Sequence, residues 1–209
     1  MIDFQKLIMG YQRFRSGDWT DQHDRWEHLS KGQNPKVLVI ACSDSRVDPA
    51  QIFDTNPGEI FVIRVVGALV PPYERELGHH GVSAALEYAV TKLEVSDILV
   101  MGHGACGGIK ASLEGTGSED EDDDFFIKSW ISLLDDARDK VVAEHGHEED
   151  VAGRLEHEGV RTSIANLRSF PFVRDREAAG KLDLHGAWFA IENGSLHLLE
   201  PKSNEFISL

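Results

Sequence analysis

The chain has 209 residues, 41% of them apolar and 27% charged, with a formal net charge of 21 − 36 = −15 at pH 7. That length supports one domain with a full core, and the apolar share excludes global disorder. The acidity, with no basic stripe, excludes a binder of the phosphate backbone, and two cysteines are too few for a secreted disulfide scaffold of this size.

Ile2, Phe4, Leu7, Ile8, Tyr11 and Phe14 recur at helical spacing, so residues 2–15 are predicted as an amphipathic helix. Charges at Asp3, Lys6, Arg13 and Arg15 interrupt the segment, which is therefore not read as a secretory signal. No apolar run approaches about 20 residues, so no membrane span is expected and the cytoplasm is the expected location. A short helix is predicted over roughly 20–30, behind the cap-like Thr20. "KVLVIA" (36–41) is short, β-branched and almost wholly apolar, which predicts a strand buried on both faces. "EIFVIRVV" (59–66) reads as a second strand entered through a Pro57-Gly58 turn. A helix with a small-residue face follows over 79–93, then a third buried strand, "DILVMG" (97–102), and a short helix near 109–114 behind Gly107 and Gly108.

"EGTGSEDEDDDFF" (114–126) reads as a solvated loop whose six consecutive acids, Glu119–Asp124, place negative charge before the next helix. Helices are predicted over 125–145 and 149–168, and a β-hairpin over 181–201 turning at Asn193-Gly194. Alternating strands and helices imply an α/β fold around a mainly parallel sheet, with the hairpin as a C-terminal edge. Without repeats or linkers, 1–209 is expected to form a single domain. Its parts are an N-terminal helical arm (1–33), an α/β core (34–115), the acidic loop (116–124), a helical region (125–180) and C-terminal strands (181–209).

The chemistry concentrates after two strands. Cys42 follows the first, and "GHGACGG" (102–108) follows the third, supplying His103 and Cys106. Sites in open α/β sheets form beyond the carboxyl ends of the strands, so these distant residues are expected to be neighbours. Two thiolates and one imidazole form a soft donor set that suits zinc. The glycines around His103 and Cys106 let that loop bend tightly. No fourth Cys or His has suggestive spacing, and three ligands with an open position is the catalytic pattern. Asp44 and Arg46 taken alone read as a surface ion pair. Beside zinc, Asp44 would orient a bound hydroxide while Arg46 keeps the carboxylate ionised and off the metal.

"ACSDSRV" and "GHGACGGI" together resemble the two signature stretches of the β-class carbonic anhydrases. The likeness continues through "PGEIFVIR", "LVPPYE", "AALEYAV" and "LEVSDILV", covers roughly 33–113 closely, and is weaker in "LHGAWFAIENGSL". The resemblance implies one zinc per subunit held by Cys42, His103 and Cys106, with Asp44 and Arg46 as a gating pair. The implied reaction is reversible hydration of CO2 to bicarbonate and a proton. Its plant-like branch implies a substrate pocket of Gln33, Phe61, Val66, Tyr88 and Gly107. The family's unit implies a homodimer or a dimer-based assembly in which the N-terminal helices pack on the partner. Neither nucleic acid nor membrane is an expected partner.

Three features depart from that pattern or qualify it. "RVVGA" (64–68) stands where the family usually has Arg-Asn-x-Ala-Asn, so altered loop stability or dimer packing is expected. Lys92 stands where some plant relatives have a proton-moving histidine. Val39 stands where a bicarbonate-inhibited subset has tryptophan, so an open resting site is expected. Competing readings are hydrolysis of CS2 or COS by the same site, a zinc-binding homologue without enzymatic role, and, most weakly, a thiol-redox protein.

Overall fold

Helix-period apolar residues at the start of the chain and strand-like runs beyond them separate into two compact units in the computed structural model, Met1–Asn34 and Pro35–Leu209. The structure describes residues 3–76, 78–115, 123–147 and 149–209.

In the N-terminal unit, α1 (Phe4–Ser16) starts at Asp3, whose carboxylate accepts the Lys6 N–H as an N-cap. Its apolar residues Phe4, Leu7 and Tyr11 are exposed. The single helix expected over 20–30 is instead two short helices, α2 (Asp18–Asp21) and α3 (His23–Leu29), broken at Gln22. Thr20 does not cap: it lies inside α2, and its hydroxyl donates to the Arg15 carbonyl. Phe14 meets the edge of Trp26, and the Arg15 guanidinium lies 3.6 Å over the Trp19 ring.

The second unit runs β1 (Val37–Ala41), α4 (Pro49–Ile52), β2 (Ile60–Arg64), α5 (Gly81–Thr91), β3 (Asp97–His103), α6 (Gly107–Glu114), α7 (Phe125–Ile131), α8 (Asp135–His145), α9 (Val151–Ser169), α10 (Pro171–Ala178), β4 (Asp183–Phe189), β5 (Leu196–Leu199) and β6 (Phe206–Ser208). The strands form one sheet in the order β2-β1-β3-β4-β5-β6. The first four are parallel, and β5 and β6 are antiparallel. This is the expected α/β architecture. The hairpin forms around Gly194, which sits at φ 75°, while β6 is a three-residue strand too short to leave a sequence pattern.

The 125–145 helix is interrupted. A 3-10 turn at Ser132–Leu134 separates α7 from α8, and the Ser132 hydroxyl bonds back to the Ser129 carbonyl. The break lets Leu134 bury completely while Trp130 donates its indole N–H to the Val66 carbonyl at 2.9 Å. Of the acidic loop, 116–122 lie outside the described residues. Asp124 occupies the N-cap position of α7 in a left-handed conformation, without a side-chain cap bond.

Leu38, Ile40, Ile98 and Val100 bury one sheet face with Leu86 and Val90 of α5 and Val160, Ile164 and Leu167 of α9. Val39, Ala41, Met101 and Ala187 lie on the other face with Ile52 and Phe53. No described helix is long and apolar enough to cross a membrane. α9 approaches the sheet where glycines leave room. A Cβ on Gly102 would stand 2.8 Å from Val160 Cγ2, and one on Gly186 would stand 2.9 Å from Ile164 Cδ1. Gly102→Ala is therefore expected to cost about 1–3 kcal/mol of stability, read as a lower urea midpoint.

His157 on α9 stacks on Phe206 at 4.2 Å and meets Trp188 edge-on at 5.1 Å. Burial, with Arg161, His197 and Arg154 adding positive charge against the nearby Asp150, pulls its imidazole down to about 4. The unfolded chain, titrating near 6.5, takes up this proton first as pH falls. The site's contribution to stability is thus complete above about pH 6.5 and is lost as pH falls towards 4. His157→Phe is expected to flatten that part of the stability profile, measured by chemical denaturation across the same window.

Candidate metal centre

Parallel pairing sets Ala41 opposite Met101, so the carboxyl ends of β1 and β3 lie side by side. Cys42 is the first residue beyond β1, His103 closes β3, and Cys106 is the N-cap of α6. Their exposures are 5%, 1% and 3%. The ligand atoms of all three lie within 4.8 Å of one another.

The donors fit zinc. Two thiolates bound tetrahedrally at about 2.3 Å would stand about 3.8 Å apart, and the two Sγ atoms are 3.9 Å apart. His103 Nδ1 lies 2.9 Å from the Gly104 carbonyl, which selects the tautomer with hydrogen on Nδ1. Its Nε2 is buried without a hydrogen-bond partner and carries a free lone pair. Cys106 pulls the Cys42 thiol down to about 4 against its burial, and the same contact pushes the Cys106 thiol up. One of the pair therefore ionises readily, and a cation is needed to hold both as thiolates. Burial is the largest single influence on His103 and opposes its protonation, but Cys42, the Gly104 carbonyl and Asp44 together favour it, and the net shift is upward.

Asp44 and Arg46 form a two-pronged pair: Arg46 Nε donates to Oδ1 at 2.9 Å and Nη2 to Oδ2 at 2.7 Å. The Arg46 backbone N–H also donates to Oδ1. These contacts hold the Asp44 carboxyl well below the usual carboxylate range, the Arg46 side chain being the largest cause. Asp44 Oδ2 lies 3.9 Å from His103 Nε2, so the pair borders the metal ligands. Arg46 Nη2 also donates to the Ala105 carbonyl at 3.0 Å.

Two residues of this environment escaped the sequence reading. Arg64 ends β2 and clamps the Cys42–Asp48 loop: Nε donates to the Cys42 carbonyl at 2.6 Å, Nη2 to the Asp44 carbonyl at 2.7 Å, and Nη1 lies 3.2 Å from Asp48 Oδ2. Its signal was a guanidinium closing the otherwise apolar run "IFVIR". Glu156 of α9 accepts the Cys106 N–H at 3.0 Å and the Trp188 indole N–H at 2.9 Å. Burial pushes its carboxyl up, and the two donors oppose that shift.

The pocket residues divide. Gly107 follows Cys106 directly as the first residue of α6. Val66 lies close by: Gly67 donates its N–H to Cys42 Sγ at 3.3 Å, and a Cβ on Gly108 would meet Val66 Cγ1 at 2.7 Å. Phe61 and Tyr88 pair their rings at 6.0 Å, and Phe61 packs with the core under α5. Cys42 and Cys106 belong to a different cluster, with Val47, Leu69 and Ile109. Gln33 belongs to the N-terminal unit, Lys92 is exposed at the end of α5, and Val39 is a buried core residue. The "RVVGA" loop is a 3-10 turn with Gly67 at φ 71°, braced by Trp130 on the Val66 carbonyl and by the Ser163 hydroxyl on the Ala68 carbonyl.

Residues 37–196 match the family model described as carbonic anhydrase. Beta carbonic anhydrase 3 of Arabidopsis thaliana is 36% identical over 198 residues, 94% of this chain and 76% of that protein. The chain belongs to the β-carbonic anhydrase family. A carbonic anhydrase of Synechocystis sp. is 35% identical, over 98% of this chain and 74% of that protein. Among solved structures, the β-carbonic anhydrase CcaA superposes with a TM-score of 0.91 at 35% identity, covering 98% of both chains. A tetrameric β-carbonic anhydrase of Sordaria macrospora gives 0.79 at 27% identity, covering 94% and 96%.

Zinc is the metal of this family, and the Cys42–His103–Cys106 group is placed to hold it. The purified protein is expected to carry one zinc per chain. Cys106→Ala should weaken zinc binding by at least about 100-fold, a loss beyond that of an outer-shell change, measured by competition with a chromogenic chelator.

Proposed function

We propose that the protein hydrates CO2 reversibly to bicarbonate and a proton, using zinc on Cys42, His103 and Cys106. The observation that carries this reading is the buried three-donor group beside a carboxylate already engaged by a guanidinium. Zinc, when bound, lowers the pKa of water at its open position to about 7 and so supplies a nucleophile near neutrality. Asp44 accepts one O–H of the attacking water and aims an oxygen lone pair at the carbon of CO2. As the new C–O bond forms, one C=O electron pair moves onto its oxygen, and the surplus proton leaves to buffer.

Arg46 keeps Asp44 ionised and turned away from the metal position, which favours an open resting site. Arg64 holds the loop that carries Asp44 through two backbone carbonyls. Val66 and Gly107 border the ligands, and an apolar edge suits a linear, nonpolar substrate. We assign Phe61, Tyr88 and Gln33 to the same pocket across a dimer; in its own chain Phe61 packs against a core cluster other than that of Cys42 and Cys106. The exposed Phe4, Leu7 and Tyr11 of α1 supply the apolar face such a dimer would cover. In this reading the whole chain acts as one cytoplasmic catalytic domain with an N-terminal arm.

Stopped-flow CO2 hydration by zinc-loaded protein is expected to rise with pH between about 6.5 and 9. Asp44→Asn, which keeps the shape but loses the charge, should lower kcat by about 100-fold or more. A flat, buffer-like rate at full zinc occupancy would overturn the proposal.

A further inference from the structure

Glu156 is a carboxylate, 5% exposed, on the α9 face that also carries core residues, fifty positions from the loop it contacts. A buried acid is costly unless hydrogen-bonded, and here both oxygens are used, one by the Cys106 N–H and one by the Trp188 indole. An acceptor-only group is what two facing donors require. A glutamine at this position could meet one donor with its carbonyl, but would set its NH2 against the other.

The Cys106 N–H belongs to the same peptide plane as the Ala105 carbonyl, and that carbonyl accepts Arg46 Nη2 at 3.0 Å. The plane is therefore gripped at both ends, by Glu156 on its N–H and by Arg46 on its C=O. Ala105 sits at φ 54°, in the left-handed region that a residue with a Cβ adopts only at a cost. Such a conformation persists where its surroundings over-determine it, and these two grips do so. Hydrogen bonding at the N–H also polarises the carbonyl at the other end, which strengthens it as an acceptor for Arg46.

We infer that Glu156 is a positioning residue: by holding the Ala105–Cys106 peptide, it sets Cys106 Sγ for the metal and the carbonyl on which Arg46 anchors. The inference rests on the zinc-site reading above, and acts through Cys106 and Arg46 without touching substrate.

The test compares wild type, Glu156→Gln, Trp188→Phe and the double variant as zinc-loaded and cobalt(II)-loaded proteins. Zinc affinity is measured by chelator competition, the metal environment by the cobalt absorption bands, and folding by circular dichroism. Glu156→Gln is expected to weaken zinc about 10- to 100-fold and to shift the cobalt bands. At saturating zinc it should lower kcat for CO2 hydration with little change in KM. Trp188→Phe, which leaves the carboxylate on Cys106, should hold zinc nearly as wild type does. The double variant should regain most of the affinity, because the amide carbonyl can then face the Cys106 N–H without conflict.

Unchanged zinc affinity and cobalt bands in Glu156→Gln would overturn the inference. So would a Trp188→Phe protein that loosens zinc as much as Glu156→Gln does, because that result assigns the effect to packing. Should Glu156→Gln not fold, the double variant is set against Trp188→Phe: matching affinity supports the role, and a loss of about tenfold or more rejects it. Wild-type protein that binds neither zinc nor cobalt would instead overturn the metal-centre reading, a failure visible before any variant is made.

Discussion

The parallel pairing of β1 with β3 is the constraint on which the site depends. Register places Ala41 beside Met101, so the chain leaves both strands at the same level and in the same direction. Cys42 and His103 then meet although 61 residues separate them in sequence. Because β2 joins on one side of β1 and β3 on the other, this is also where the strand order reverses, the usual crevice of an open α/β sheet. A one-residue slip in this pairing would turn the neighbouring side chains to opposite faces and scatter the donors.

Around that point the backbone is held by side chains from outside the loops themselves. Arg64 takes two carbonyls of the segment after β1. Trp130 and Ser163 take the carbonyls of Val66 and Ala68 in the turn after β2. Glu156 and Arg46 take the two ends of the Ala105–Cys106 peptide. Each anchor satisfies a backbone group in a crowded setting, and together they keep Gly67, Ala68 and Ala105 at positive φ. α9 contributes most to this bracing. One of its faces carries Val160, Ile164 and Leu167 into the core, while Glu156 and Ser163 reach the loops.

The electrostatics of the site run against those of the chain. A protein of net charge −15 places one arginine, Arg46, within the Cys42–Asp48 loop and a second, Arg64, against it, where two thiols and Asp44 would otherwise crowd negative charge together. Their guanidiniums make two-pronged contacts that a lysine could not reproduce. This arrangement explains why Asp44 stays ionised beside buried sulfur atoms.

Much of this was legible in the residues themselves. Short β-branched runs predict buried strands, because only a sheet covered on both faces accepts them. The Cys42, His103 and Cys106 donor set predicts zinc, because softness and geometry belong to the side chains. What the sequence could not contain was the set of contacts between elements. The breaks at Gln22 and Ser132 depend on local hydrogen bonds and on where Trp130 and Leu134 can bury. β6 exists because β5 offers an edge to pair with. The roles of Arg64 and Glu156 follow from where β2 and α9 aim them, at partners 20 to 22 and 50 residues away in the chain. Sequence spacing determines which face of an element a side chain occupies. Only packing determines what that face meets, and so which charged residue becomes an anchor.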